Sequence, residues 1–162
     1  PNPSATNAQY HYPVYLRYTE IFLAYAEAAN EAWGPTNKGS HGFSAYDVIK
    51  ALHDRAGVGN DYLDSIAGDK DKMRELIRNE RRIELVFEEH RYFDVRRWKI
   101  AEEVFNRPGH GVKVTKEADG TKTYSYEKLL DRAFTKEMYL LPIATDELRK
   151  NNGTLEQTWT WR

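Results

Sequence analysis

Two carboxylates one helical turn apart, Glu80 and Glu84, have the spacing that could support acid–base chemistry. On a helix such side chains lie about 6 Å apart, and paired carboxyl groups at that separation can act as acid and base in glycoside hydrolysis. That reaction needs one of the pair protonated, whereas neighbouring arginines would keep both ionised. We therefore expect Glu80 and Glu84 to be structural, with hydrolysis as the less favoured alternative.

The segment around these two glutamates, residues 78–99, is dense in charge and in aromatic rings. Apolar side chains recur there and just before it at helical spacing: Met73, Leu76, Ile77, Ile83 and Phe87. Glu80 and Glu84 fall on the same stripe, and buried carboxylates are costly unless they are paired. Cationic partners are close in sequence: Arg78, Arg81, Arg82, Arg91, Arg96, Arg97 and Lys99. The pattern predicts a structural polar network that includes Glu80, Arg81, Glu84 and Arg97.

Other reactive motifs are missing from the sequence. His90 stands near Glu88 and Glu89, but no second histidine has ligand spacing to it. The chain has no cysteine, no glycine-rich phosphate loop and no G-x-S-x-G nucleophile elbow. We therefore expect no metal site, no cofactor and no catalytic residue.

Composition and charge are those of a globular protein, with 40% hydrophobic and 30% charged residues. The net charge of −1 provides no field for nucleic acid. The basic and aromatic stretch 90–99 resembles a nucleic-acid platform, but its acidic neighbours, such as Asp94, argue against that function. No apolar run reaches the roughly 18 residues that a membrane-spanning helix needs.

Hydrophobic periodicity predicts two pairs of helices. The first pair covers residues 14–33 and residues 45–56, and the apolar stripe of its first helix is Tyr18, Phe22, Tyr25, Ala29 and Ala32. Ser44 and Asp47 form a capping box for the second helix, and Gly57 ends it. The other pair covers residues 71–89 and 92–105.

The remainder of the chain predicts a small β excursion and a short tail. Residues 112–115 and 121–126 alternate around Asp119-Gly120, which is a strong hairpin signal. Residues 138–143 are expected to be extended, and Thr145 to cap a short helix. The predicted fold class is all-α, with antiparallel helix pairs and one β-hairpin.

Four motifs resemble the SusD/RagB family of nutrient-binding lipoproteins. The first is the charged run Arg81–Trp98, which is similar to the family's RRxELxFEgxRffDlrRW signature. The other three are the helix Tyr15–Ala28, the helix end Arg55–Gly57 and the stretch Tyr139–Ile143. Small departures occur at Glu89, Ala144 and Thr158.

The resemblance implies tetratricopeptide-like helix pairs and a function without catalysis. It implies capture of an oligosaccharide or other nutrient at the outer surface of the outer membrane, and delivery to a SusC-type TonB-dependent transporter. Family members are several times longer, so residues 1–162 are expected to be a C-terminal helical domain. The export signal and lipid anchor would then lie outside this sequence.

Aromatic residues in loops are the candidate ligand contacts. Tyr10 and Tyr12 precede the first helix, and Trp33 stands beside a loop rich in Gly, Ser and Asn. Flat rings pack against the C–H faces of sugars, but each ring could equally anchor its loop to the core. An alternative function is a tetratricopeptide-like scaffold that binds proteins and has no sugar site.

Overall fold

A computed structural model describes residues 16–161. It contains seven α-helices and two β-strands in this range: α1 Tyr18–Trp33, α2 Ala45–Ala56, α3 Asp61–Ser65, α4 Lys70–Glu84, α5 His90–Arg97, α6 Ala101–Phe105, β1 Gly109–Lys116, β2 Lys122–Leu130 and α7 Thr145–Lys150. The predicted mainly helical fold with one antiparallel hairpin is confirmed. None of the helices in this range is long and apolar enough to cross a bilayer. The chain divides into two compact units between Arg91 and Tyr92.

The first unit is built on α1, which packs against both α2 and α4. Arg55 near the end of α2 bonds to Thr19 near the start of α1, so α1 and α2 run antiparallel as predicted. Asn30 near the end of α1 donates to the carbonyl of Lys70 at the start of α4. The core between these helices is aliphatic, and its fully buried large side chains are Leu23, Ile49, Leu63, Met73 and Ile77.

The ends of α2 are capped as the sequence predicts. Ser44 Oγ accepts the Asp47 amide proton at 3.2 Å, and Asp47 Oδ2 accepts the Ser44 amide proton at 2.8 Å. Gly57 ends the helix at φ 70°, a left-handed conformation that glycine adopts without steric cost. A side-chain cap therefore sets the start of α2, and the backbone conformation of Gly57 sets its end.

The charged helix α4 is shorter than predicted. Met73, Leu76 and Ile77 are buried, but α4 ends at Glu84, five residues before the expected boundary. Ile83 is half exposed and Phe87 is 99% exposed, so the prediction that they continue the buried stripe is wrong. The physical reason is a turn: Phe87 and Glu89 have φ of 63° and 64°, and helical spacing no longer applies beyond Glu84.

The predicted helix over residues 92–105 is divided into α5 and α6. Lys99 interrupts it at φ 59°, where Ile100 donates its amide to the carbonyl of Val95. The core of the second unit centres on Val95, Ala101 and Phe134. The guanidinium of Arg96 lies 3.5 Å from the ring centroid of Tyr92 and 5.0 Å from that of Phe134.

The hairpin predicted around Asp119-Gly120 is confirmed, with β1 antiparallel to β2. Gly120 supplies φ 86° in the turn, and Asp119 accepts the amide proton of Thr121. All of β2 is exposed.

The segment predicted to be extended over residues 138–143 begins with two residues of a 3-10 helix. A 3-10 helix covers Lys136–Tyr139, and extended backbone begins only at Leu140. The Gln157 amide group then acts as a strand partner would, because its oxygen accepts from Ile143 N and its nitrogen donates to Ile143 O. Thr145 is the first residue of α7 and not its cap, a position held by Ala144.

Removal of the α2 cap tests this account of the first unit. Ser44→Ala deletes the hydroxyl that accepts the Asp47 amide proton, and we expect a loss of about 1 kcal/mol in the free energy of unfolding. Urea unfolding of the 162-residue chain measures it. Ser40→Ala, in an exposed loop position, is the matched control and should change little; equal losses in both variants would contradict the role of the cap.

The cap also predicts a dependence on pH. The Ser44 amide, which donates to the carboxylate, holds the pKa of Asp47 below its ordinary value of 3.8. Ionised Asp47 therefore stabilises the fold at neutral pH, and this contribution is lost as pH falls below about 4 through the folded-state pKa. Asp47→Asn should make urea stability less sensitive to pH in that acidic window. An unchanged pH profile would show that Asp47 contributes nothing there.

Candidate functional site

Six rings form a continuous aromatic row along α1 and the loop that follows it. In order they are Tyr18, Phe22, Phe43, Tyr25, His41 and Trp33. The successive ring centroids lie 5.3, 6.4, 4.7, 5.7 and 5.3 Å apart. These separations are within the range of favourable aromatic contacts. The row gives the first unit a stretch of adjoining aromatic surface, which we call the aromatic row.

One end of the aromatic row opens into a groove between α1 and α2. The groove has a volume of about 480 Å³ and an apolar lining. Tyr18, Phe22 and Phe43 form its aromatic wall, and Asp47 and Arg55 are its charged residues. Tyr18 is 75% exposed. A concave apolar site with a few polar groups is the usual form of a small-molecule site.

Trp33 lies at the other end of the row and is tied to its own loop. Its indole faces Gly39 so closely that a Cβ on that glycine would lie 2.8 Å from the ring. His41 packs against the same indole, yet Trp33 stays 39% exposed. The residue therefore anchors the loop and still presents part of its ring to solvent. Tyr10 and Tyr12 lie outside the described residues.

Tyr18 and Phe22 were missed as site residues because their spacing suggests a stripe that faces the core. The structure instead buries Thr19, Leu23, Ala26, Ala29 and Asn30 of α1, and Ala29 is the one member of the predicted stripe among them. That alternative stripe has equally good helical spacing, and its signal is Ala26, whose small side chain lets a neighbouring helix approach closely. The larger rings are thereby turned outward.

An ionic cluster of Arg17, Arg55, Glu84 and Glu88 joins the helices of the first unit. Arg55 Nη2 lies 2.7 Å from both carboxylate oxygens of Glu84. Arg17 donates Nη2 to the Glu84 carbonyl and Nε to the Glu88 carboxylate at 3.0 Å. The cluster connects the end of α4 to the start of α1 and the end of α2.

The four residues of the predicted polar network have different surroundings. Glu80 lies 3.4 Å from His53 Nε2, and Glu84 belongs to the ionic cluster. Arg81 is buried, with 6% of its surface exposed. Arg97 belongs to the second unit, where it donates to the buried Asp94 carboxylate at 3.0 Å. The structure therefore gives Glu80 and Glu84 separate partners in the first unit.

The hydrogen-bond partners of Glu84 bear on whether Glu80 and Glu84 could act as acid and base. Both oxygens of Glu84 accept from Nη2 of Arg55, as in a charge-assisted arginine–carboxylate pair. Among residues 16–161, no group of three His, Asp or Glu side chains could hold a metal ion. His90 is 3.7 Å from Glu20 and forms an ion pair when protonated.

Comparison with known proteins decides the family. The family model described as the SusD family matches residues 1–161. The chain belongs to the SusD family. The resemblance noted from Arg81–Trp98 and the three other motifs is therefore confirmed.

Two SusD-like relatives show how much of the family this chain represents. SusD-like protein P2 of Formosa agariphila is 29% identical over 144 residues, which are 86% of this chain and 24% of the relative. A crystal structure of a SusD-like protein from Bacteroides fragilis superposes with a TM-score of 0.70 at 34% identity, over 91% of this chain and 25% of that one. The chain thus spans about a quarter of the length of these relatives, and it has a SusD-like fold.

Truncation of Glu84 tests whether the ionic cluster holds this SusD fold together. Glu84→Ala leaves Arg55 and Arg17 without their shared carboxylate, so we expect a loss of about 1–2 kcal/mol in unfolding free energy. Urea unfolding measures the loss. Glu75→Ala, an exposed carboxylate on the same helix, is the control and should cost far less. A Glu84→Ala chain as stable as the control would show that the cluster is not structural.

Proposed function

We propose that this SusD-family chain is part of a nutrient-binding protein that captures an oligosaccharide without cleaving it. The observation that carries the proposal is the match to the SusD family over residues 1–161. In this proposal the whole protein is an outward-facing lipoprotein of the outer membrane. It delivers its ligand to a SusC-type TonB-dependent transporter.

We further propose that residues 1–162 are a C-terminal helical domain of a longer chain. Because this chain spans about a quarter of the length of its relatives, the comparisons support a longer whole protein. A lipid anchor elsewhere on that chain would provide the attachment to the membrane.

The aromatic row supports a sugar contact on this part of the protein. Sugars offer C–H faces to flat rings and hydroxyls to polar groups at the rim. Exposed rings of Tyr18, Phe22 and Trp33 pack against the C–H faces, and Asp47 in the groove is a polar group for the hydroxyls. Tyr10 and Tyr12 remain proposed contacts, together with Trp33. Affinity through a few rings and hydroxyl contacts would be modest.

Absence of catalysis is part of the same proposal. The partners of the two carboxylates, Arg55 for Glu84 and His53 for Glu80, support a scaffold role for a pair that could otherwise hydrolyse a glycan. Binding without cleavage leaves the glycan intact, so incubation should release no new reducing ends.

A protein-interaction scaffold is the second candidate. The observation in its favour is the apolar lining of the groove between α1 and α2, since an amphipathic helix can bury its apolar face in such a groove. In that case peptides would bind to the groove, and glycans would not.

Glycan binding by the 162-residue chain tests the proposal. A panel of neutral and acidic glycans is titrated by calorimetry, with product analysis for reducing ends. For a glycan that binds, Phe22→Ala and Trp33→Ala should each weaken the Kd by roughly fivefold, because each removes a ring contact of about 1 kcal/mol. Tyr10→Ala and Tyr12→Ala test the other two candidates.

Tyr62→Ala is the matched control, because Tyr62 is an exposed tyrosine on α3 outside the aromatic row. It should leave the Kd unchanged. No binding by any glycan on the panel, or release of reducing ends, would count against this function for the chain; peptide binding in the groove would favour the scaffold instead.

A further inference from the structure

The two faces of the hairpin β1–β2 have opposite character. On one face the cross-strand pairs run, from base to tip, His110 with Lys128, Val112 with Tyr126, Val114 with Tyr124 and Lys116 with Lys122. This surface is called the tyrosine face. The opposite face carries Lys113, Thr115, Thr123, Ser125 and Glu127. Side chains alternate between faces along a strand, so the register alone separates the two sets.

The middle of the tyrosine face is apolar and open. Tyr124 and Tyr126 are 62% and 78% exposed, and Val112 and Val114 are each 52% exposed. Neither tyrosine ring stacks on another ring among the described residues. The two rings lie two residues apart on one strand, which places them about 7 Å from each other along it.

The tip of the tyrosine face is cationic. At the tip, Lys116 lies directly opposite Lys122, an arrangement that destabilises an isolated strand pair. Neither lysine forms an ion pair with another residue in the described range. At the base, Lys128 pairs with Asp131 beside His110.

The carboxylates of the hairpin have partners other than Lys116 and Lys122. Glu127 lies on the opposite face, where it pairs with Lys113 at 3.8 Å. Asp119 accepts from the amide and hydroxyl of Thr121 in the turn, and Glu117 accepts from the Thr123 hydroxyl at 3.5 Å. No carboxylate of β1 or β2 therefore neutralises Lys116 and Lys122.

We propose that the tyrosine face binds an acidic oligosaccharide, one that carries carboxylate or sulfate groups. Tyr124 and Tyr126 stack on sugar rings, and Lys116 and Lys122 pair with the anionic substituents. The face spans about 20 Å from His110 to Lys116, which suits a chain of several sugars. This inference rests on the proposed glycan-binding function and adds both a second contact surface and the charge of the ligand.

The test uses the 162-residue chain and three glycans of equal length. These are oligogalacturonate for carboxylates, heparin-derived oligosaccharide for sulfates and cello-oligosaccharide as the neutral glycan. Calorimetry at low and high salt should show tighter binding of at least one acidic glycan than of the neutral one, weakened by salt because exposed charges are screened.

Variants then locate the contact. Lys116→Gln with Lys122→Gln should weaken acidic-glycan binding by about five- to tenfold at low salt, from two exposed ion pairs. Lys113→Gln, on the opposite face, is the control for charge alone. Tyr126→Val keeps a strand-forming residue but removes the ring and should weaken binding, whereas Tyr126→Phe should retain it.

The outcomes separate this inference from the proposed function. Neutral and acidic glycans that bind equally, with loss in Phe22→Ala and none in the hairpin variants, would overturn the inference alone. Equal loss in Lys113→Gln would also overturn it, because binding would then follow net charge. Absence of binding to every glycan would overturn both.

Discussion

The contact that joins the helix ends of the first unit is between Nη2 of Arg55 and both oxygens of the Glu84 carboxylate. Glu84 is the last residue of α4 and Arg55 lies in the last turn of α2. Arg17, at the N-cap of α1, donates a hydrogen bond to the backbone carbonyl of Glu84. Glu84 therefore contacts residues at the ends of α1 and α2. It is itself the last residue of α4, directly before the turn.

The position of the aromatic row follows from the packing of α1. Where α1 packs against α2 and α4, its buried stripe is the one that contains Leu23 and Ala26. Phe22 and Tyr18 must then face outward, beside Phe43 of the loop before α2. This packing leaves an exposed aromatic surface and a groove, while Glu84 has a structural partner in Arg55.

Local chemistry made much of this fold predictable. The α2 cap and the β1–β2 turn are set by Ser44, Asp47, Gly57 and Gly120, whose conformational roles can be derived from sequence. Boundaries were missed where the chain breaks helical spacing with non-glycine residues at positive φ, as at Phe87 and Lys99. Neither of these two residues carries a sequence signal for that conformation. The outward rings of α1 were missed for a different reason, because two stripes of equal periodicity compete and tertiary packing selects between them.

The central claim is that the glutamates are scaffold and that glycan contact is made by the aromatic row. Calorimetric titration of a glycan that binds, into Glu84→Gln and into a Tyr18→Ala/Phe22→Ala double variant at a temperature where both are folded, tests it most directly. The account predicts an unchanged Kd in the first and a Kd weakened by more than tenfold in the second, from two lost rings. Loss of binding in a folded Glu84→Gln chain, with full affinity in the double variant, would contradict it.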